Sequence, residues 1–552
     1  MKKLALVLIL ITLSCIRGFS QTHISGIISG NATWNIAGSP YIIDGNTEIQ
    51  PGIKLTIEAG VIVKFTNNTT LLIDGELDAV GDSSDHIIIT GSSNNPAPGD
   101  WENLHFSSSS VSASYDAQGN YISGSIMKYC DISYGGQLNY GNLEIESSAP
   151  HIERCSIMHG SSDGICLKKG YSKIVNCYLS ENSGSGIYSS HQGIYNDIYI
   201  NNNTIYNNGN GGIYVDEMWQ YTLFITNNNI SENSNSGIYV NSSGGSGSGT
   251  INIEDNVIDN NFAVTGGGIR ISPGFNVAIS CNIIQQNESD NNGSALYLEG
   301  GYNPYTHTIT GNTIINNTSY YGDAIFLSYM TDYDISIEIN NNFISNNSVS
   351  VNHSIFRIDG SSSGSIFNIS NNTVARNSGS FTFYLHTFSG HINQNNIYNY
   401  TTYEIYNQNS SGSENIDATN NYWYGTIYID DKIYDFFDDG GLSIVNYHPV
   451  LTDSVNVIIC GPTVITGTGS IPSKNTDFTV YPVPARDIFI IETQPEYTGS
   501  TMIMYNLSGQ VLMKHQLKEN KTVIDISSIP KGTYLLKLFN DRTVSVKKII
   551  KE

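Results

Sequence analysis

Charged side chains are scarce in this 552-residue chain, at 13% of residues, and those of positive sign scarcer still: 25 Lys+Arg against 49 Asp+Glu, a formal net charge of −24. The acid excess lies before residue 476, and the last segment is slightly basic. A surface that acidic, with no basic stripe along it, repels nucleic acid and anionic membranes and favours neutral partners. Beyond the first twenty residues no apolar run approaches the roughly 20 residues of a membrane span, so no transmembrane segment is expected. Cysteine is sparse too, 7 in all. No Cys-x-x-Cys pair occurs and the histidines are scattered, which argues against a zinc site. No metal ligand set and no resident cofactor are expected.

Polarity is carried instead by Asn, Ser, Gly and Tyr, with 53 Gly and 36 Tyr. These residues suit stacked strands and tight turns better than helices. Ile and Val at strict alternation argue against disorder, because each segment has something to bury. The dominant pattern is a returning phrase, Asn-x-Ile/Val, seen at Asn203, Asn228, Asn256, Asn282, Asn312, Asn342, Asn372 and Asn395 and followed in several copies by Asn and Gly-Ile-Tyr. From Leu179 to Ile397 the apolar anchors recur every 23 to 30 residues. A fixed period in that range means a solenoid, whose repeats bury their apolar faces only against one another.

Each coil is expected to hold three short strands; around Asn228 these are Leu223–Ile225, Asn229-Ile230 and Gly237–Val240. The repeating Asn is expected to turn inward at a bend, pairing with backbone and with the Asn above and below, since it tolerates left-handed backbone and carries both donor and acceptor. Cys130, Cys155 and Cys177 occupy that slot in earlier coils and read as a ladder of buried thiols, because parallel side chains suit a disulfide poorly.

The first 20 residues read as a secretory signal, with Lys2-Lys3, the apolar stretch Leu4–Leu13 and a small-x-small site at Gly18–Ser20. Residues 21–100 give an N-terminal cap and the first coils, and 101–460 the regular coils with a C-terminal cap in which Trp423 replaces the usual Ile. Residues 461–475 read as a linker and 476–552 as a separate small β-sandwich, with turns at Ser508-Gly509 and Pro530–Gly532.

With the Asn ladder, the Gly-Ile-Tyr-Val strand and the Asn421-Tyr422-Trp423 ending, residues 100–460 resemble the right-handed parallel β-helix proteins, the architecture of pectate lyases and many polysaccharide-active proteins. Tyr481-Pro482-Val483-Pro484-Ala485-Arg486-Asp487, Tyr505–Val511, Ile524–Tyr534 and the basic end Lys547–Lys551 resemble the C-terminal sorting domain of the type IX secretion system of Bacteroidota, Val483 standing where that family usually has Asn. The first resemblance implies an all-β, right-handed parallel β-helix solenoid. The second implies handling by the type IX machinery and a secreted or cell-surface product. A monomer is expected.

In the third strand of each coil the residue after the inward Ile or Leu is Cys166, Tyr188, Tyr214, Tyr239, Arg270, Tyr297, Phe326 and Phe356, and period-two alternation sends this column outward. Tyr188, Tyr214, Tyr239, Tyr297, Phe326 and Phe356 are therefore candidates for contacting sugar rings, against the alternative that aromatics simply stack along a solenoid face. Arg270 is the candidate catalytic cation: a lyase needs a charge to neutralise a uronate carboxylate and a base to take the adjacent proton. Asp216 and Glu299, three coils apart at on the order of 14 Å, are too distant for a glycosidase pair. Asp430, Asp431, Asp435, Asp438 and Asp439 offer carboxylates for Ca²⁺ but lack the spacing of an EF-hand loop, which favours a solvated cap. The function expected is an extracellular binding or scaffold module with polysaccharide as partner. The alternatives are a polysaccharide lyase or glycoside hydrolase, and an adhesin without a small ligand.

Overall fold

The computed structural model describes residues 21–460, apart from 191–195, 219, 243–248, 273, 301–304, 330–334, 362–364 and 425–427, and residues 478–551, apart from 482–484, 494–499, 506–510, 528 and 540–543. The expected signal segment, the 461–475 linker and the Ser508-Gly509 turn lie outside the described residues. The chain divides into two compact units at residue 465.

The first unit is a right-handed parallel solenoid with three faces. One face is a 16-stranded parallel sheet running from Ala32–Trp34 to Val445–Asn446. The other two share a 30-stranded sheet, joined where the long strand Tyr41–Ile49 pairs with both Ile62–Phe65 and Leu71–Ile73. The coil around Asn228 contributes Thr222–Thr226, Asn229–Ser231 and Ile238–Val240, one strand to each face. Alternation places two apolar side chains of each first- and third-face strand inside, such as Leu223 and Ile225 or Ile238 and Val240, and one of each second-face strand, and like residues then stack coil on coil. Ile205, Ile230, Ile258, Ile284, Ile314 and Ile344 form one such column, all buried. The core is thus a rod of aliphatic stacks, each level protected by the next.

Two inward asparagine ladders hold the corners. In the first, Asn282 Nδ2 donates to Asn312 Oδ1 at 3.0 Å and to Ile253 O at 2.8 Å, while Asn282 Oδ1 accepts from the backbone and side chain of Asn256. The pattern repeats from Asn203 to Asn421. The second ladder runs from Asn182 to Asn399 and ends on the buried carboxylate of Glu404, which accepts from Asn399 N and Nδ2. Every buried amide thereby finds partners without water. Cys130, Cys155 and Cys177 are buried free thiols in the slot of the first ladder. Each thiol donates to the carbonyl two residues back, as the asparagines do: Cys177 Sγ to Val175 O at 3.4 Å, Cys155 Sγ to Glu153 O at 3.5 Å.

Trp423 follows Ile397 in the inner column and closes the second face. The C-terminal unit consists of a three-stranded and a four-stranded antiparallel sheet sharing one apolar core, which includes Phe478, Phe489, Met502 and Leu536.

Candidate functional site

The outward column of the third face is longer than the sequence suggested and differs at one position. Register pairs Tyr188 with Tyr214, Tyr214 with Tyr239, Tyr239 with Arg270, Arg270 with Tyr297 and Tyr297 with Phe326. Phe326 then pairs with Arg357, not with Phe356. Phe356 stacks inward on Ile325 and Phe383 and is 1% exposed, so it belongs to the core and not to the ligand-facing column. The strand Ser354–Asp359 carries two consecutive buried apolar residues, Ile355 and Phe356, and the pattern "residue after Ile" lands one position early. Beyond Arg357 the column continues through Tyr384, Tyr406 and Tyr434. Phe326 keeps its place in the column but is buried between its neighbours. Cys166, at the column's start, is likewise buried, with Gly141 packed against it.

The result is one continuous column over ten successive coils, roughly 43 Å long at about 4.8 Å per coil, in which Tyr188 meets Tyr214 edge-on and the later side chains stack. Tyr214 and Tyr239 lie 4.8 Å apart and nearly coplanar in orientation. The Arg270 guanidinium sits 4.6 Å from the Tyr239 ring and 5.5 Å from the Tyr297 ring. Tyr297 stacks on Phe326 at 5.1 Å, Arg357 bridges Phe326 and Tyr384 at 5.9 and 4.8 Å, and Tyr406 stacks on Tyr434 at 4.6 Å. Rings stacked in this way spend their faces on one another and present edges and hydroxyls outward. At the C-terminal end the stack broadens: Phe381 and Tyr403 form a second column, and Phe381 is tilted 35° to Tyr406 and 56° to Tyr384. Tilting there leaves ring faces partly open.

The two arginines differ electrostatically. Arg357 Nε donates to Asp359 Oδ2 at 2.9 Å, whereas among the described residues no carboxylate lies within ion-pair distance of Arg270. Asp216 accepts from Asn241 Nδ2 at 3.0 Å, and the Tyr297 hydroxyl donates to Glu299. Burial and then the Asp216 carboxylate push the Tyr214 phenol up to about 12; burial and then Glu299 push Tyr297 upward as well. Tyr297, beside Arg270, is thus held in the protonated form, the wrong state for the base of a β-elimination.

Sequence reasoning missed the polar groups around Arg357. Asp359 Oδ1 lies 3.7 Å from His386 Nδ1, and the buried Asp323 accepts from Ser354 N and Oγ at 2.6 Å, with His353 at 3.9 Å. Burial pushes the Asp323 carboxyl up. The signal was present: Phe356-Arg357-Ile358 has the apolar-Arg-Ile form of Ile269-Arg270-Ile271. Lys168 pairs with the buried Glu144 at 2.7 Å.

The acidic run serves the cap. Asp435 is buried and accepts from Phe437 N at 3.0 Å and Val445 N at 2.8 Å, while Asp430 accepts from the Tyr447 hydroxyl. Among the described residues no three His, Cys, Asp or Glu side chains gather as a metal site, and no helix is long and apolar enough to cross a membrane.

The sequence matches the family model for a right handed beta helix region over residues 52–217 and 144–303, and that for a secretion system C-terminal sorting domain over residues 479–552. No curated protein and no solved structure matches it significantly. The chain is a right-handed parallel β-helix repeat protein with a C-terminal type IX sorting domain, exported to the cell surface or the extracellular space.

Proposed function

We propose that this exported β-helix protein is a binding scaffold whose third face lies along an extended carbohydrate chain. The observation that carries the reading is the unbroken run of aromatic and arginine side chains along that face. Ten successive outward positions there are Tyr, Phe or Arg, from Tyr188 to Tyr434. The outward column of the first face instead runs Lys173, Tyr199, Phe224, Asn252, Ala278, Thr308, Glu338 and Asn368. Both faces stack equally well as sheets, so packing alone gives no reason for the difference.

The ligand contacts would be a row of tyrosine hydroxyls, which donate and accept, and the rings of Phe381 and Tyr403, which are tilted against the stacked Tyr384, Tyr406 and Tyr434 and offer apolar faces to sugar C–H groups. Neutral chains suit the acidic surface best. Binding is favoured over catalysis because burial and Glu299 hold the Tyr297 phenol beside Arg270 in its protonated form, and the carboxylates Asp216 and Glu299 are three coils apart. The test is retention of the purified protein on immobilised xylan, glucomannan and polygalacturonate, with mass spectrometry of the eluate. Retention without oligosaccharide release supports the reading; unsaturated or hydrolysed products would replace it with an enzyme.

A further inference from the structure

Three departures from the repeat line up along one corner of the solenoid. The bend between the first and second faces places a residue with left-handed backbone in each coil: Asn202, Asn227, Asp255, Cys281, Gly311, Asn341, Asn371, Gln394 and Asn420. Earlier coils put Tyr129, Arg154 and Asn176 at this bend, but from Asn202 onward only Cys281 and Gly311 among these positions depart from Asn, Asp and Gln, which tolerate that conformation better than most side chains. One residue further along the second face than the inward Asn395, Asn396 stands where the preceding coils have Thr373, Phe343 and Thr313.

All three meet the same segment. After the cap the chain turns back and runs against the direction of the coils. Asn420 N donates to Pro449 O at 2.6 Å and Leu451 N to Asn421 O at 3.0 Å. Asn396 then brackets Val455, accepting from its N–H at 2.8 Å and donating to its carbonyl at 2.9 Å. Cys460 N donates to Gly311 O at 3.2 Å, and a β-carbon at Gly311 would lie 2.4 Å from the Cys460 sulfur. Cys460 is disulfide-bonded to Cys281, 179 residues earlier. From Asn421 to the Cys281 coil is five coil steps, roughly 24 Å, and the nine residues from Leu451 to Cys460 span about 30 Å when extended. The strap is therefore nearly straight, and the exceptional residues are those it touches.

We infer that this strap is a covalent load bypass. The sorting domain follows Cys460 in the chain, so any pull on it reaches the solenoid at Cys460. The disulfide passes that pull to the coil of Cys281, and the coils between residues 281 and 460 form a closed loop that carries no load. That loop holds the outward stack from Tyr297 to Tyr434, so this half of the face stays folded while the protein is held or drawn by its C-terminal end. The device works whatever the stack binds.

Optical-tweezers extension of the full mature chain, with handles at its two ends, tests this. In oxidising buffer the fully stretched chain is expected to fall short of its complete contour by the 179-residue loop, roughly 60 nm at about 3.4 Å per residue. Added reductant, or the Cys460→Ser variant, is expected to restore that length. Full extension of the oxidised protein before reductant would overturn the inference. Should Cys460→Ser fold poorly, the wild-type comparison with and without reductant decides alone. Peptide mapping of the exported protein is expected to find Cys281 linked to Cys460; either residue free, or bonded to Cys130, Cys155, Cys166 or Cys177, would equally overturn it.

Discussion

Cys177 stands one coil before Asn203 in the same inward slot, and its backbone N–H donates to the Asn203 side-chain oxygen at 2.8 Å. At this junction a ladder of thiols becomes a ladder of amides. The amides do more: from Asn256 to Asn395 each binds the carbonyl two residues back, a carbonyl of the preceding coil and the next amide. Asn282→Ala takes from Asn256 N its acceptor in a dry interior and removes one bond each from Asn256 Nδ2 and the carbonyls of Ile253 and Ser280. It is expected to cost about 2–4 kcal/mol. Cys155→Ala, which removes one weak donor and little volume, is expected to cost about 1 kcal/mol. Hydrogen exchange resolved by coil is the right measurement, since a solenoid need not unfold as one unit.

His307 replaces the Val277 and Ile337 of neighbouring coils inside the first face. Its Nε2 donates to Phe275 O at 2.9 Å and its Nδ1 accepts from the Tyr329 hydroxyl at 2.5 Å. Burial pushes the imidazole down to about 4. The folded state therefore binds fewer protons than the unfolded state between pH 4 and 6.5. The stability tied to the neutral ring is complete above pH 6.5 and is lost as pH falls toward 4, by about 3 kcal/mol. The His307→Val/Tyr329→Phe protein is expected to show a flatter loss of thermal midpoint across this window; an unchanged slope would remove His307 from the acid response.

Asp163 has the opposite sign. Burial pushes its carboxyl up to about 6, although Ser185 N donates to it at 2.7 Å. Here the folded state holds its proton more tightly, so the contribution is present below pH 3.8 and is lost as pH rises through 6. Asp163→Asn keeps an acceptor for Ser185 and removes the buried charge. It is expected to raise stability at pH 8 by about 1–3 kcal/mol and to do little at pH 4. Thermal melts at the two pH values read the difference directly.

Phe356 and Arg357 are adjacent in sequence and opposite in fate, one in the core and one on the face. Phe356→Ala is expected to cost about 3–5 kcal/mol of stability through the cavity it leaves. Arg357→Gln is expected to cost less than about 2 kcal/mol, chiefly by leaving Asp359 without its guanidinium. Denaturant midpoints of the two variants check the register assigned here.

The solenoid was legible because its signal is repetitive. The spacing of Ile205, Ile230 and Ile258 and the inward Asn beside each announce coil after coil. The column from Tyr188 to Tyr297 followed from simple alternation. Reading stopped at Ile355-Phe356, where an extra buried residue shifts the count by one and hides Arg357, Tyr384, Tyr406 and Tyr434. The contact of Cys460 with Cys281 was invisible for a different reason. The strap runs along the axis, across coils, and no period within the chain encodes a contact 179 residues apart. In the coils it crosses, Cys281, Gly311 and Asn396 mark where it lies.

The most direct test of the binding reading compares two pairs of stacked aromatics by affinity electrophoresis in gels containing xylan, glucomannan or polygalacturonate. Tyr384→Ala/Tyr406→Ala removes rings from the third face; Tyr199→Ala/Phe224→Ala removes a pair stacked at 4.8 Å on the first face. The account predicts that at least one polysaccharide retards the wild-type protein and the first-face variant alike, and that the third-face variant loses at least tenfold in affinity. Equal retardation of all three proteins, or retardation lost only in the first-face variant, would contradict it.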